Sequence, residues 1–130
     1  MNVQSINEMT ILGGILAATQ VCHDAAVAGG WWHDINSGEP LQRNRGELLM
    51  LIVSEIAEAM EGERKNLQDD KLPHRRMAEV ELADALIRIF DYAGGMNYDL
   101  AGALIEKLAY NAQRADHKPE NRLKADGKKF

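Results

Sequence analysis

The chain has 130 residues, 45% apolar and 27% charged, with a formal net charge of -5. Those values fit one globular domain long enough to bury a core, rather than a disordered or membrane chain. The acidic balance argues against a protein whose main task is to grip nucleic acid. No apolar run reads as long enough for a membrane span, and MNVQSINEMT lacks the basic-then-apolar pattern of a secretory signal. A cytoplasmic location with no membrane partner is the expectation. Cys22 is alone, so no internal disulfide forms, and no Cys/His cluster has zinc spacing.

Apolar residues recur three and four apart along most of the chain, which predicts helices. The first covers about 6–28, with Met9, Leu12, Leu16 and Val27 near one face and Gly29-Gly30 as its stop; Gly13-Gly14 weakens its first half. A loop, WWHDINSGEPLQ, follows. The second helix covers about 43–64 and carries Leu48, Leu51, Ile52, Ile56 and Ala59 on its apolar side. KNLQDDKLP breaks the pattern, and Pro73 suits the first turn of a third helix over about 74–93 that ends at Gly94-Gly95. Asn97 is the expected N-cap of a fourth helix running to about Arg114, with Leu100, Leu104, Ile105 and Leu108 as its apolar positions.

The elements add up to an all-α, four-helix-bundle-like domain over residues 1–118, followed by a basic tail over 119–130 that holds Arg122, Lys124, Lys128 and Lys129. The third helix is apolar around most of its circumference. It therefore calls for a central position, burial by another subunit, or both.

Four carboxylates do not suit that plan. SEIAEAMEGE supplies Glu55 and Glu58, and VELADALIR supplies Glu81 and Asp84, two pairs at i, i+3 that each share a helix face. At about 100° per residue, Glu55 and Glu58 project beside Leu48, Leu51 and Ala59, toward the interior. Glu81 and Asp84 align with Met77, Arg88 and Asp91 on a helix with little surface to spare. Four acids together are costly unless paired, protonated or bound to cations. All-oxygen donors suit Mg²⁺ or Mn²⁺, and magnesium usually shares its sphere with phosphates. The alternative is two solvated faces, since acid pairs three apart are common on helix surfaces. No Glu-x-x-His accompanies them, which disfavours a redox di-iron bundle. Arg88, one turn after Asp84, is expected to neutralise the acids through an ion pair, with Asp91 as its candidate partner.

Glu-x-x-Glu followed by Glu-x-x-Asp on the next helix resembles the hallmark of the MazG-like, all-α nucleoside triphosphate pyrophosphohydrolases of bacteria and phages, over about residues 43–118. Many members carry a further Glu where this chain has Ser54. EKLAYNAQRADHK is similar to the family's Lys-x-x-x-Asn-x-x-Arg stretch, matched by Lys107, Asn111 and Arg114 at i, i+4 and i+7. The resemblance implies a metal-dependent hydrolase that splits a nucleoside triphosphate between its α- and β-phosphates, giving monophosphate and pyrophosphate. It also implies two or more Mg²⁺ or Mn²⁺ ions per site on Glu55, Glu58, Glu81 and Asp84. Glu55 or Glu58 then activates the attacking water, and the assembly is a homodimer or homotetramer. A deoxynucleotide, a purine such as dGTP, is the substrate the phage-like match suggests. Lys107, Asn111, Arg114 and Lys118 become candidate substrate contacts, and Trp32, beside Trp31, a candidate for base stacking, against the plainer reading of paired tryptophans as loop anchors. The plainer reading of Lys107, Asn111 and Arg114 is an exposed helix face with an ion pair to Glu106 or Asp116. The rival to the enzyme is a non-enzymatic helical module that uses its apolar third helix only to oligomerise.

Overall fold

In the computed structural model, residues 3–130 are described, and their regular elements are helices joined by loops. Helix α1 runs Val3–Ala28, α2 Arg45–Lys65, α3 Met77–Gly95 and α4 Leu100–Gln113; a 3₁₀ turn, Ala115–His117, and a short α5, Pro119–Arg122, follow. Among the described residues there are no strands, only isolated bridges that pair His33 with Pro40 and Gln68 with Arg76. The all-α expectation holds. Two compact units divide the chain: one joins the described residues up to Leu16 with Asp99–Phe130, and the other is Ala17–Tyr98.

Within Ala17–Tyr98 the antiparallel α2–α3 hairpin is the principal packing. Its seam is made of small residues: Ala59, Gly62, Ala78 and Ala85 are buried, Ala85 to 2% exposure. A Cβ on Gly62 would come within 3.0 Å of Met77 Cβ, so a larger residue here would have to push Met77 back. Such seams bring backbones near, and whatever side chains flank them are brought near too.

The α2–α3 connection is tightly specified. Asn66 closes α2 in the left-handed region, φ 51°, with its N–H donating to the Glu63 and Gly62 carbonyls. Asp69, buried, accepts from the backbone N–H of Lys71 and Leu72 at 2.9 and 2.7 Å, and its own N–H donates to Arg75 O. This side-chain-stabilised turn delays the start of α3. The helix begins at Met77, with Pro73 left in the turn rather than in the first helical turn, and Glu79 accepts from the Arg76 N–H at 3.3 Å.

Other boundaries differ in instructive ways. Gly13-Gly14 does not interrupt α1, whose long helix tolerates the weak residues. Asn97 does not cap α4; it sits in the left-handed region, φ 56°, and Asp99 is the N-cap, accepting from the Gly102 N–H at 2.9 Å. The α1 segment Gln4–Ala28 is, by length and composition, long and apolar enough to cross a membrane, and it is unburied. That corrects the expectation that no segment passes this test. Leu82, Leu86 and Ile87 of α3 are about half exposed, so this chain alone does not cover the helix as its apolar circumference demands.

The other unit contains α4 with Ala101 buried, and the basic tail folds back on itself. Arg122 donates through Nε to Lys128 O and through Nη2 to Lys129 O, at 3.2 and 3.1 Å.

If the small-residue seam sets the hairpin's stability, Ala85→Leu should destabilise the chain by about 1–3 kcal/mol through overpacking. Leu123→Ala, at a position 85% exposed, should change it by less than about 0.5 kcal/mol. Urea unfolding followed by circular dichroism checks both; equal effects would show that the seam is not the core.

Candidate metal centre

Two acidic faces meet across the α2–α3 seam. Single carboxylate oxygens of Glu55, Glu81 and Asp84 lie within 4.8 Å of one another, a spacing that one cation can span. Glu55 comes from the α2 seam face, one and two turns before Ala59 and Gly62; Glu81 and Asp84 come from α3, four and one residues before Ala85. Glu58 is exposed and stands outside the tight triad, but it is near enough to push up the Glu81 carboxyl. The geometry is that of the helix itself: Glu58 is rotated about 60° from Glu55, away from the side of Ala59. Three of the four expected ligands thus converge, with the fourth at their rim.

The electrostatics follow from this crowding. Partial burial, hydrogen bonds shared with Glu55 and Glu58, and repulsion by both push the Glu81 carboxyl up to about 7. Burial and the Glu55 charge also raise Asp84, against the opposing pull of Arg88; Asp69 and Glu58 add to the rise. Asp69 is an acidic neighbour that the sequence reading left in a polar break, and only the turn that holds its carboxylate places it near the cluster. Arg88 donates through Nε to Glu55 Oε1 at 2.8 Å. Its partner is therefore Glu55 and not Asp91.

Asp91 instead anchors the tryptophan loop. Its Oδ1 accepts from Trp32 Nε1 at 2.8 Å and lies 2.9 Å from His23 Nδ1, while the His23 and Trp32 rings meet edge to face. Trp32 also packs on Gly95, where a Cβ would collide with its ring. Arg43 donates to Trp31 O at 2.6 Å and sits over the Trp32 ring. Trp31 itself is exposed. A cavity of about 630 Å³ opens beside the acids; Trp31, Arg43, Leu48, Leu51, Ile87 and Arg88 line it, with Glu55, Asp84 and Asp91 among its walls. Ser54, at the position where the resembling family carries Glu, is exposed and donates to Leu51 O at 2.6 Å.

The remaining candidates belong to the unit that holds α4. Lys107 lies with Nζ 4.6 Å from the centroid of Tyr110. Asn111 has a buried Oδ1 that lacks a hydrogen bond among the described residues. Arg114 follows the last residue of α4 and forms a two-bond pair with Asp116, at 3.0 and 2.7 Å, which raises the guanidinium's pKa and lowers the acid's. Lys118 caps α5 and is exposed. Comparison with family models, curated proteins and solved structures finds no match.

The donor set fits a hard divalent cation: carboxylate oxygens only, close enough to share one ion, and bearing more negative charge than Arg88 offsets. In its absence the cluster has a definite pH signature. Below about pH 4.5 Glu81 is protonated in both folded and unfolded chains; between about 4.5 and 7 the unfolded chain loses that proton first. Stability in chelator should therefore fall as pH rises through that window, with the full penalty present above it. Mg²⁺ should raise the melting temperature more at pH 8 than at pH 5, and Glu81→Gln should flatten the pH slope. A melting temperature that climbs from pH 5 to 8 in chelator would contradict the assignment.

Proposed function

We propose that the chain is a metal-dependent phosphohydrolase. The observation that carries this reading is the convergence of Glu55, Glu81 and Asp84 on facing helices, with donor chemistry that suits Mg²⁺ or Mn²⁺ and phosphate oxygens. Within that class, the paired acidic motifs and the adjoining cavity favour a nucleoside triphosphate pyrophosphohydrolase, acting between the α- and β-phosphates of a deoxynucleotide. A divalent ion bound here would supply charge for the phosphate oxygens and acidify a bound water.

The chain's own residues divide the rest of the work. Glu55, Glu81 and Asp84 hold the cation. Glu55 already accepts from Arg88, which leaves exposed Glu58 as the carboxylate better placed to orient the attacking water and take its proton. Arg88 holds the Glu55 carboxylate in place. Its exposed guanidinium edge and Arg43 face the same cavity, where they suit the triphosphate, and Leu48, Leu51, Ile87 and Trp31 suit the nucleoside. Trp32 acts as the anchor of this wall through Asp91. Lys107, Asn111, Arg114 and Lys118 stand as further phosphate contacts on the family resemblance, and Arg114 would have to exchange Asp116 for substrate.

The exposed apolar side chains of α2 and α3 favour a second reading, a helical oligomerisation module without catalysis. The two readings separate in one assay: incubation with Mg²⁺ or Mn²⁺ and a panel of ribo- and deoxynucleoside triphosphates. The expected products are monophosphate and pyrophosphate. Glu55→Gln, Glu58→Gln and Asp84→Asn should each lower kcat by about 10²–10³-fold with helicity retained, comparable to losing one group that stabilises developing charge. Orthophosphate as the product would refute the bond assigned. Full activity in the Asp84→Asn chain would refute the site, and no activity on any triphosphate would favour the module.

A further inference from the structure

Helix α2 carries two opposed faces, and only one has a partner in the described structure. Glu55, Ala59 and Gly62 lie on the seam with α3. About 100–160° around the helix stand Ile56, Leu49, Met60 and Val53, which repeat at i, i+4, i+7 and i+11 from Leu49. They are 47%, 47%, 56% and 52% exposed. Met50 and Ala57 continue the face, and no charge interrupts it from Leu49 to Met60. A seam of alanine and glycine on one side and a row of large aliphatic side chains open on the other is an incomplete bundle.

The charges at the ends of the stripe identify what completes it. Arg45 and Glu63 are separated by five full turns, so they share one edge of the apolar stripe at its opposite ends. Neither side chain has an ion pair or hydrogen bond among the described residues, whereas nearby Arg64 pairs with Glu61. In an antiparallel two-fold pairing of identical helices, like edges face each other and the ends exchange. Arg45 of each copy then meets Glu63 of the other, twice. The apolar positions obey the same symmetry, because Leu49 faces Met60 and Val53 faces Ile56 about nearly the same centre. A parallel pairing would instead set opposite edges together, leaving Arg45 and Glu63 level with their own copies across the interface and without each other as partners.

We infer that the outer face of α2 is a self-complementary interface, occupied by α2 of a second copy in antiparallel register through Leu49, Val53, Ile56 and Met60, with Arg45 and Glu63 as reciprocal end pairs. This inference needs no chemistry at the carboxylates. It reaches beyond the expectation of an oligomer by assigning the face, the orientation and the register.

Sedimentation of the full chain should give twice the 14.5 kDa chain mass. Ile56→Lys should weaken association at least tenfold. Because that variant places a charge on a helix that also packs internally, surface variants provide the decisive arm. In a Cys22→Ser background, Arg45→Cys chains mixed with Glu63→Cys chains should be joined by a short bismaleimide, and neither variant alone should be. A monomeric wild-type chain overturns the inference. So does cross-linking within each variant alone but not in the mixture, which would mark a parallel pairing, and so does an associating chain that gives no cross-link in any combination.

Discussion

Carboxylate repulsion across the α2–α3 seam is the constraint that organises the described structure around it. Glu55, Glu81 and Asp84 are held closer than free side chains would choose, because Ala59, Gly62, Ala78 and Ala85 let the two backbones approach. Larger residues at those positions would separate the helices and relax the acids. The seam therefore exchanges apolar contact area for the positioning of charge, and its weakness as a core and its strength as a site have one origin. Arg88 offsets part of the repulsion by binding Glu55, but Asp84 and Glu81 still hold their protons more tightly than ordinary carboxyls. A cluster that retains a proton near neutrality is one that a divalent cation would stabilise by displacing it.

The same economy explains why the tryptophan loop is secured so firmly. With few large buried side chains in the hairpin, the cavity wall depends on polar anchors: Trp32 and His23 both meet one Asp91 oxygen, and Arg43 ties the Trp31 carbonyl. Trp32 is thereby held in place, and the Trp31 ring is exposed at the cavity. Asp91 sits one turn from Arg88 on α3, close enough that the sequence suggested a pair. The structure separates their duties, with Arg88 serving the acids and Asp91 the loop.

What the sequence made legible was periodic. Helices α1 to α3 and the facing of Glu55, Glu81 and Asp84 follow from spacing of three and four, since side-chain direction on a helix is fixed by position alone. Glu58 shows the limit of the same rule: it shares a face with Glu55 broadly, yet its rotation about the axis carries it from the seam to the rim. The misplaced starts of α3 and α4 lie where side chains bind backbone through a turn. Asp69 holds Lys71 and Leu72 and leaves Pro73 outside the helix, and Asp99 takes the cap because Asn97 is drawn into the left-handed region. Several polar residues in each stretch could have served, and only the closed loop selects among them. Asp69's influence on Asp84 was invisible for that reason.

The aliphatic row on the outside of α2 is the counterpart of the acids on its inner face. A helix that devotes one face to acids cannot also supply a large hydrophobic core from that face, so burial must come from the other. Leu49, Val53, Ile56 and Met60 provide it in a form that Arg45 and Glu63 make selective for orientation. Pairing that face would stiffen α2 along the length that carries Glu55 and Glu58, and a stiff α2 fixes where those carboxylates meet α3. Association and the acidic site would then share one helix: its outer face supplies the apolar burial that its inner face gives up to charge.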